Sequence, residues 1–139
     1  MADDDKDFLN VTRSVLEFAG FKVDTAENGE EALKEIKRHR YDLLIMDVIM
    51  PNIDGVKLFQ MVKKSKRHRD VPVLFISGYP VWTELEERKR EIVTKADAFI
   101  QKPFKTKVFM DTVKALSDKD SALKKSRRAE LKHSKSAKA

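Results

Sequence analysis

There is no cysteine in this 139-residue chain, so neither a disulfide framework nor a thiolate metal site can form. That suits a reducing cytoplasm, which is where we expect the protein to act. No apolar run approaches the ~20 residues of a membrane span. The acidic start Asp3-Asp4-Asp5 is the opposite of a secretory signal. Internal repeats, zinc-finger spacings and recognition-helix patterns are absent as well. The three histidines, His39, His68 and His133, are scattered over basic helix ends and the tail, which gives them no ligand role. No independent nucleophile–base pair stands out, which argues against a hydrolase.

What is present is a soluble-domain composition, 41% hydrophobic and 37% charged, in a chain long enough for one real core. The net charge of +6 is uneven: from Ser117 onward eight basic residues meet three acidic ones, leaving the preceding body close to neutral. We therefore divide the chain into a domain over residues 1–117 and a basic tail over 118–139, either a frayed helix or disordered. No aromatic interleaves the tail's charges, so nucleic acid is expected to bind there only weakly.

Apolar periodicity alternates between two types along the body. Phe8, Val11, Val15, Leu16 and Ala19 recur at helical spacing before Gly20, and Phe21 to Ala26 alternates as an edge strand would. Ala32, Leu33 and Ile36 mark a second helix, and Val56, Phe59 and Val62 a third, which opens near Asp54. A charged helix from Thr83 to Lys95 and a last one from Lys105, with Val108, Phe109, Val113 and Leu116 inward, complete the set. Between them lie short aliphatic runs, Leu43 to Met46, Val71 to Ile76 and Ala98 to Gln101, the habit of strands buried on both faces. Strand and helix in alternation predict an α/β fold with a parallel sheet and right-handed crossovers.

Each aliphatic run ends on a reactive side chain. Asp47 closes the first and Ser77 the second, and Lys102-Pro103-Phe104 follows the third. In open α/β folds this carboxyl edge of the sheet is where the chemistry sits. Asp3-Asp4-Asp5, just before the first helix, offers carboxylates suited to a hard cation such as Mg²⁺. A carboxylate at a strand tip beside such an ion can act as a nucleophile toward a phosphoryl group.

Two acids, an aspartate nucleophile, a hydroxyl and a lysine, in that chain order over residues 3 to 117, resemble the receiver domain of two-component response regulators. The resemblance implies a flavodoxin-like sheet, ordered 2-1-3-4-5, with helices on both faces. It implies a phosphorylation-controlled interaction module rather than an enzyme. Asp47 would be the phosphoacceptor, served by a sensor histidine kinase or a phosphotransfer protein and acting on a downstream protein. Mg²⁺ would be held by Asp3, Asp4, Asp47 and the backbone carbonyl of Ile49. Ser77, Lys102 and Phe99 would read the phosphoryl group, and the bond before Pro103 would be cis.

The sequence departs from that pattern in three places. Only Met1 and Ala2 precede Asp3, where the family has a buried first strand. We therefore expect that first strand to be missing or truncated, leaving Asp3 and Asp4 on a mobile end and inviting a homodimer or strand exchange. Ser77 to Lys102 is longer than usual, and Thr94-Lys95-Ala96 replaces a small Ala-Gly. Two alternatives follow: a degenerate receiver serving as a phosphorylation-independent scaffold, or a basic-tailed nucleic-acid-binding module.

Overall fold

A computed structural model describes the backbone of residues 1–131 and the side chains through residue 118. Among the described residues six helices and three strands are formed: α1 (Lys6–Phe18), α2 (Gly29–Arg38), β1 (Leu44–Met46), α3 (Gly55–Lys64), β2 (Val73–Ser77), α4 (Val81–Glu84), α5 (Glu87–Val93), β3 (Ala98–Gln101) and α6 (Thr106–Leu131). The strands are parallel in the order β1-β2-β3, with Met46 opposite Phe75 and Ser77 opposite Gln101. None of the described helices is long and apolar enough to cross a membrane.

Because side chains alternate along a strand, each strand feeds two cores. Leu44, Met46, Val73 and Phe75 point to one face, where Ile36, Leu58, Phe59 and Val62 of α2 and α3 cover them. Leu43, Ile45, Leu74 and Ile76 point to the other, against Leu9 and Leu16 of α1 and Phe109 and Val113 of α6. The sheet is thus sandwiched on both faces, the flavodoxin-like α/β fold.

The first strand is shortened rather than missing. Ala2 bridges in parallel to both Ala26 and Met46. Its N–H donates to the Ile45 carbonyl at 2.8 Å and its carbonyl accepts from the Asp47 N–H at 2.9 Å. On the other side the Asp3 N–H donates to Ala26 at 3.0 Å, and the Met1 carbonyl accepts from the Ala26 N–H at 2.9 Å. Three residues thus hold the slot between the edge segment and β1, giving the 2-1-3-4-5 order. Asp3 is therefore buried, at 2% exposure, and not on a mobile end. With so short a neighbour, residues 21–25 form no ladder, although the expected alternation survives in buried Val23 and Ala26.

Three helical readings shift. In α1 the inward stripe is Leu9, Thr12 and Leu16, and Val11 is 66% exposed. Polar Thr12 hides that stripe from a count of apolar residues. In α6 the stripe Phe109-Val113-Leu116 turns Val108 outward. The charged helix expected from Thr83 breaks in two at Leu85, which is extended and buried. Arg90 bridges the break by donating to the Trp82 carbonyl at 2.9 Å.

Local signals position the chemistry. Asp54 caps α3 by accepting from the Lys57 N–H at 2.8 Å. The next residue, Gly55, donates to the Val48 carbonyl at 2.8 Å, so α3 starts in contact with the strand tip. A Cβ on Gly55 would collide with the backbone carbonyl of Asp47. Gly55→Ala should therefore lose roughly 1–3 kcal/mol of stability by overpacking, read as a lower urea midpoint with unchanged slope.

Candidate functional site

The tips of the strand stub, β1, β2 and β3 converge. Asp3 leaves the stub, Asp47 follows β1, Ser77 ends β2 and Lys102 follows β3. The Lys102 N–H donates to the Ser77 carbonyl at 2.9 Å, which ties the last two tips together. The Lys102–Pro103 peptide is cis.

Carboxylate oxygens of Asp3, Asp4 and Asp47 lie within 4.8 Å of one another. Asp3 and Asp47 are buried and Asp4 is exposed. Lys102 answers this negative charge: its Nζ is 2.6 Å from Asp3 Oδ2 and 3.8 Å from Asp47 Oδ2. Asp3 Oδ1 also accepts from the Asp5 N–H at 3.0 Å, and Asp5 in turn caps α1 through the Phe8 N–H. The Ile49 N–H donates to Asp47 Oδ1 at 3.2 Å.

These surroundings push the Asp47 carboxyl up from 3.8 to about 6. Burial is the main cause and the charge of Asp3 adds to it. The Ile49 N–H, the Lys102 ammonium and the Ser77 hydroxyl pull the other way without cancelling it. Three hard oxygen donors with one lysine between them suit a small oxygen-seeking dication such as Mg²⁺.

Ser77 is fully buried and its Oγ accepts from the Tyr79 N–H at 3.1 Å. Phe99 is half-buried, with the Trp82 ring edge-on at 5.2 Å between centroids. Ile49 and Tyr79, each 39% exposed, are the apolar residues just beyond the two tips.

Sequence reasoning missed two contacts near the site and one at the opposite edge of the sheet. Phe8 lies beneath Lys102, its ring centroid 4.0 Å from Nζ. Lys89 of α5 pairs with Asp54 at 3.2 Å, joining α5 to the cap of α3. His68 is not a surface residue of a basic helix end but wholly buried, its Nε2 accepting from the Tyr41 N–H at 3.1 Å. None could be found from spacing, because each pairs across a large gap in the chain.

A family model described as response regulator receiver domain matches residues 1–114. The phosphate regulon transcriptional regulatory protein PhoB of Rhizobium meliloti is 33% identical over 114 residues, covering 81% of this chain and 49% of that protein. The polar-differentiation response regulator DivK of Brucella anthropi is 28% identical over 115 residues, covering 83% of this chain and 91% of DivK. Among solved structures, the response regulator TrrA of Thermotoga maritima in complex with Mg²⁺-BeF is 30% identical with a TM-score of 0.70, covering 83% of this chain and 94% of that one. The chain belongs to the response regulator receiver family, the signalling input domains of two-component systems. It spans only 39% to 54% of the length of several curated relatives that it matches.

The raised carboxyl has a measurable cost. An unfolded Asp47 ionises near its ordinary value, whereas the folded one resists ionisation up to about 6. Folding therefore loses free energy as pH rises between those values, and the loss is complete above the higher one. In metal-free buffer, Asp47→Asn should be more stable than the parent by roughly 1–3 kcal/mol at neutral pH. The gap should close as pH falls toward the unfolded carboxyl's value. Urea denaturation across that range checks both magnitude and sign.

Proposed function

We propose that this domain accepts a phosphoryl group on Asp47 from a phosphohistidine of a sensor kinase or phosphotransfer protein, and so switches a surface that binds a downstream protein. The observation that carries the reading is the gathering at one sheet edge of Asp3, Asp4, Asp47, Ser77 and Lys102, which are up to 99 residues apart in the chain. In the transfer, an Asp47 carboxylate oxygen attacks phosphorus in line, the P–N bond to the donor imidazole breaks, and that nitrogen takes up a proton. The donor set fits Mg²⁺, which Asp3, Asp4, Asp47 and the Ile49 carbonyl would hold. When bound, it neutralises charge on the transferring group.

The remaining steps belong to the chain's own residues. Lys102, already between Asp3 and Asp47, turns its ammonium to a phosphoryl oxygen. The Ser77 hydroxyl gives up its local contact with the Tyr79 N–H and donates to another. Movement at Ser77 passes along β2 and β3 to Phe99 and from there to Trp82, on the short α4. Burial and backbone pairing of Asp3 support this reading over a degenerate scaffold, because they order the acid before any metal arrives. Residues 118–139 would add polyanion attraction and nothing to the Asp47 chemistry.

Intact mass after incubation with Mg²⁺ and acetyl phosphate should show one phosphoryl adduct, abolished by Asp47→Asn. Lys102→Ala should slow its formation about a hundredfold, the scale of losing one preorganised charge. Trp82 is the only tryptophan, so beryllofluoride with Mg²⁺ should change its fluorescence in the parent and leave Asp47→Asn silent. An unreactive parent, or an equally reactive Asp47→Asn, would overturn the assignment.

Deleting residues 118–139 should leave the adduct rate unchanged. It should remove salt-sensitive retention on heparin. A collapse in phosphorylation, or loss of sequence-specific DNA binding, would refute the tail's assigned role.

A further inference from the structure

Lys102 has a second anchor besides its carboxylates. Its Nζ, and not merely its aliphatic stem, stands 4.0 Å from the centroid of the Phe8 ring. That is well inside the ~6 Å range of a cation–π contact. The lysine side chain is only 20% exposed, so water screens the contact little. The ring itself is held on two sides. Its backbone N–H is fixed by the Asp5 cap at 3.0 Å, and its side chain meets Phe104 in a T-shape at 6.0 Å. Phe104 in turn stacks at 5.4 Å on Phe109, a buried core residue of α6. The column from Phe109 through Phe104 to Phe8 ends on the ammonium of Lys102.

We propose that Phe8 is a positioning residue for phosphoryl transfer, its π face holding the Lys102 ammonium beside Asp47 when Asp3 turns to the metal. This rests on the reading of Asp47 as phosphoacceptor. The need arises from the geometry. The shortest contact of Lys102 is Asp3 Oδ2 at 2.6 Å, and Asp3 belongs to the group that would ligate Mg²⁺. An ion there competes for the same oxygens, and Asp47 Oδ2 at 3.8 Å is too distant to hold Nζ by hydrogen bonding. A third carboxylate would anchor the lysine but add negative charge against the incoming phosphoryl group. Bulk water would leave the long side chain free to choose among its rotamers. A ring face attracts the cation while carrying no net charge and ligating no metal.

The test separates ring electrostatics from packing. Placing 4-fluoro-, trifluoro- and pentafluorophenylalanine at position 8 withdraws the π charge stepwise with little change in shape. Lys102→Ala and Asp47→Asn serve as references. The rate of adduct formation with acetyl phosphate should fall stepwise to about a tenth of the parent value. That fall matches the energy of a partly desolvated cation–π pair. Phe8→Leu should match the most fluorinated variant, and Phe8→Trp should restore the rate. Independently of reactivity, NMR of the metal-free parent should show the Lys102 Cε protons shifted upfield by the Phe8 ring. Phe8→Leu should abolish that shift.

A parent that reacts while the fluorinated series stays flat would overturn the positioning role and leave Asp47 in place. Absence of the upfield shift would overturn it as well. A parent that never reacts would overturn the proposal together with the reading of Asp47, whereas the metal-free spectrum judges the Phe8 contact alone.

Discussion

Three carboxylates drawn together in a partly buried place repel one another, and much of the site is organised to sustain that repulsion. Lys102 is the nearest compensating charge, 2.6 Å from Asp3 and 3.8 Å from Asp47. Backbone N–H groups of Asp5 and Ile49 take up two of the remaining oxygens. Burial, and after it the charge of Asp3, outweighs these contacts, which is why the Asp47 carboxyl is pushed up to about 6. A protein selected for stability alone would have little use for this cluster. A bound divalent cation would supply the positive charge that the cluster lacks.

The fold supplies the means of holding the cluster together. Parallel strands bring their carboxyl ends to one edge, and burial on both faces leaves each strand little freedom to slide. Met46 opposite Phe75 and Ser77 opposite Gln101 fix the relative heights of the tips. Gly55 then lets α3 begin against the Asp47 backbone, where any side chain would have forced the tip away. Packing, register and one missing Cβ therefore have chemical consequences several residues away.

The short first strand shows how few contacts suffice when they are well placed. Ala2 has an alanine side chain and one N–H and one C=O, both used on β1, while Met1 and Asp3 pair with the edge segment. Alternation of N–H and C=O along a parallel ladder makes three residues the smallest number that can pair on both sides. The edge segment shows the cost: its alternation is intact, yet it meets the stub only through a bridge at Ala26 and the Asp24 carbonyl, which accepts from the Met1 amino group at 2.8 Å.

The sequence by itself determined the alternation of elements, the two-sided burial of the strands and the order of Asp3, Asp4, Asp47, Ser77 and Lys102, because these are carried by local periodicity and by residues at strand ends. Helix faces were partly legible. Polar Thr12 disguised the inward stripe of α1, and neighbouring apolar residues made Val108 look as buried as Phe109. Only the tertiary structure decided that Met1 to Asp3 fill the first-strand slot, that His68 is enclosed against Tyr41, and that Phe8 meets Lys102. Each of those joins residues 27 or more apart along the chain, or depends on which of two sheet neighbours a three-residue segment reaches. Periodicity has no means of encoding such pairings. They are set by where the packed sheet brings the ends of separate elements.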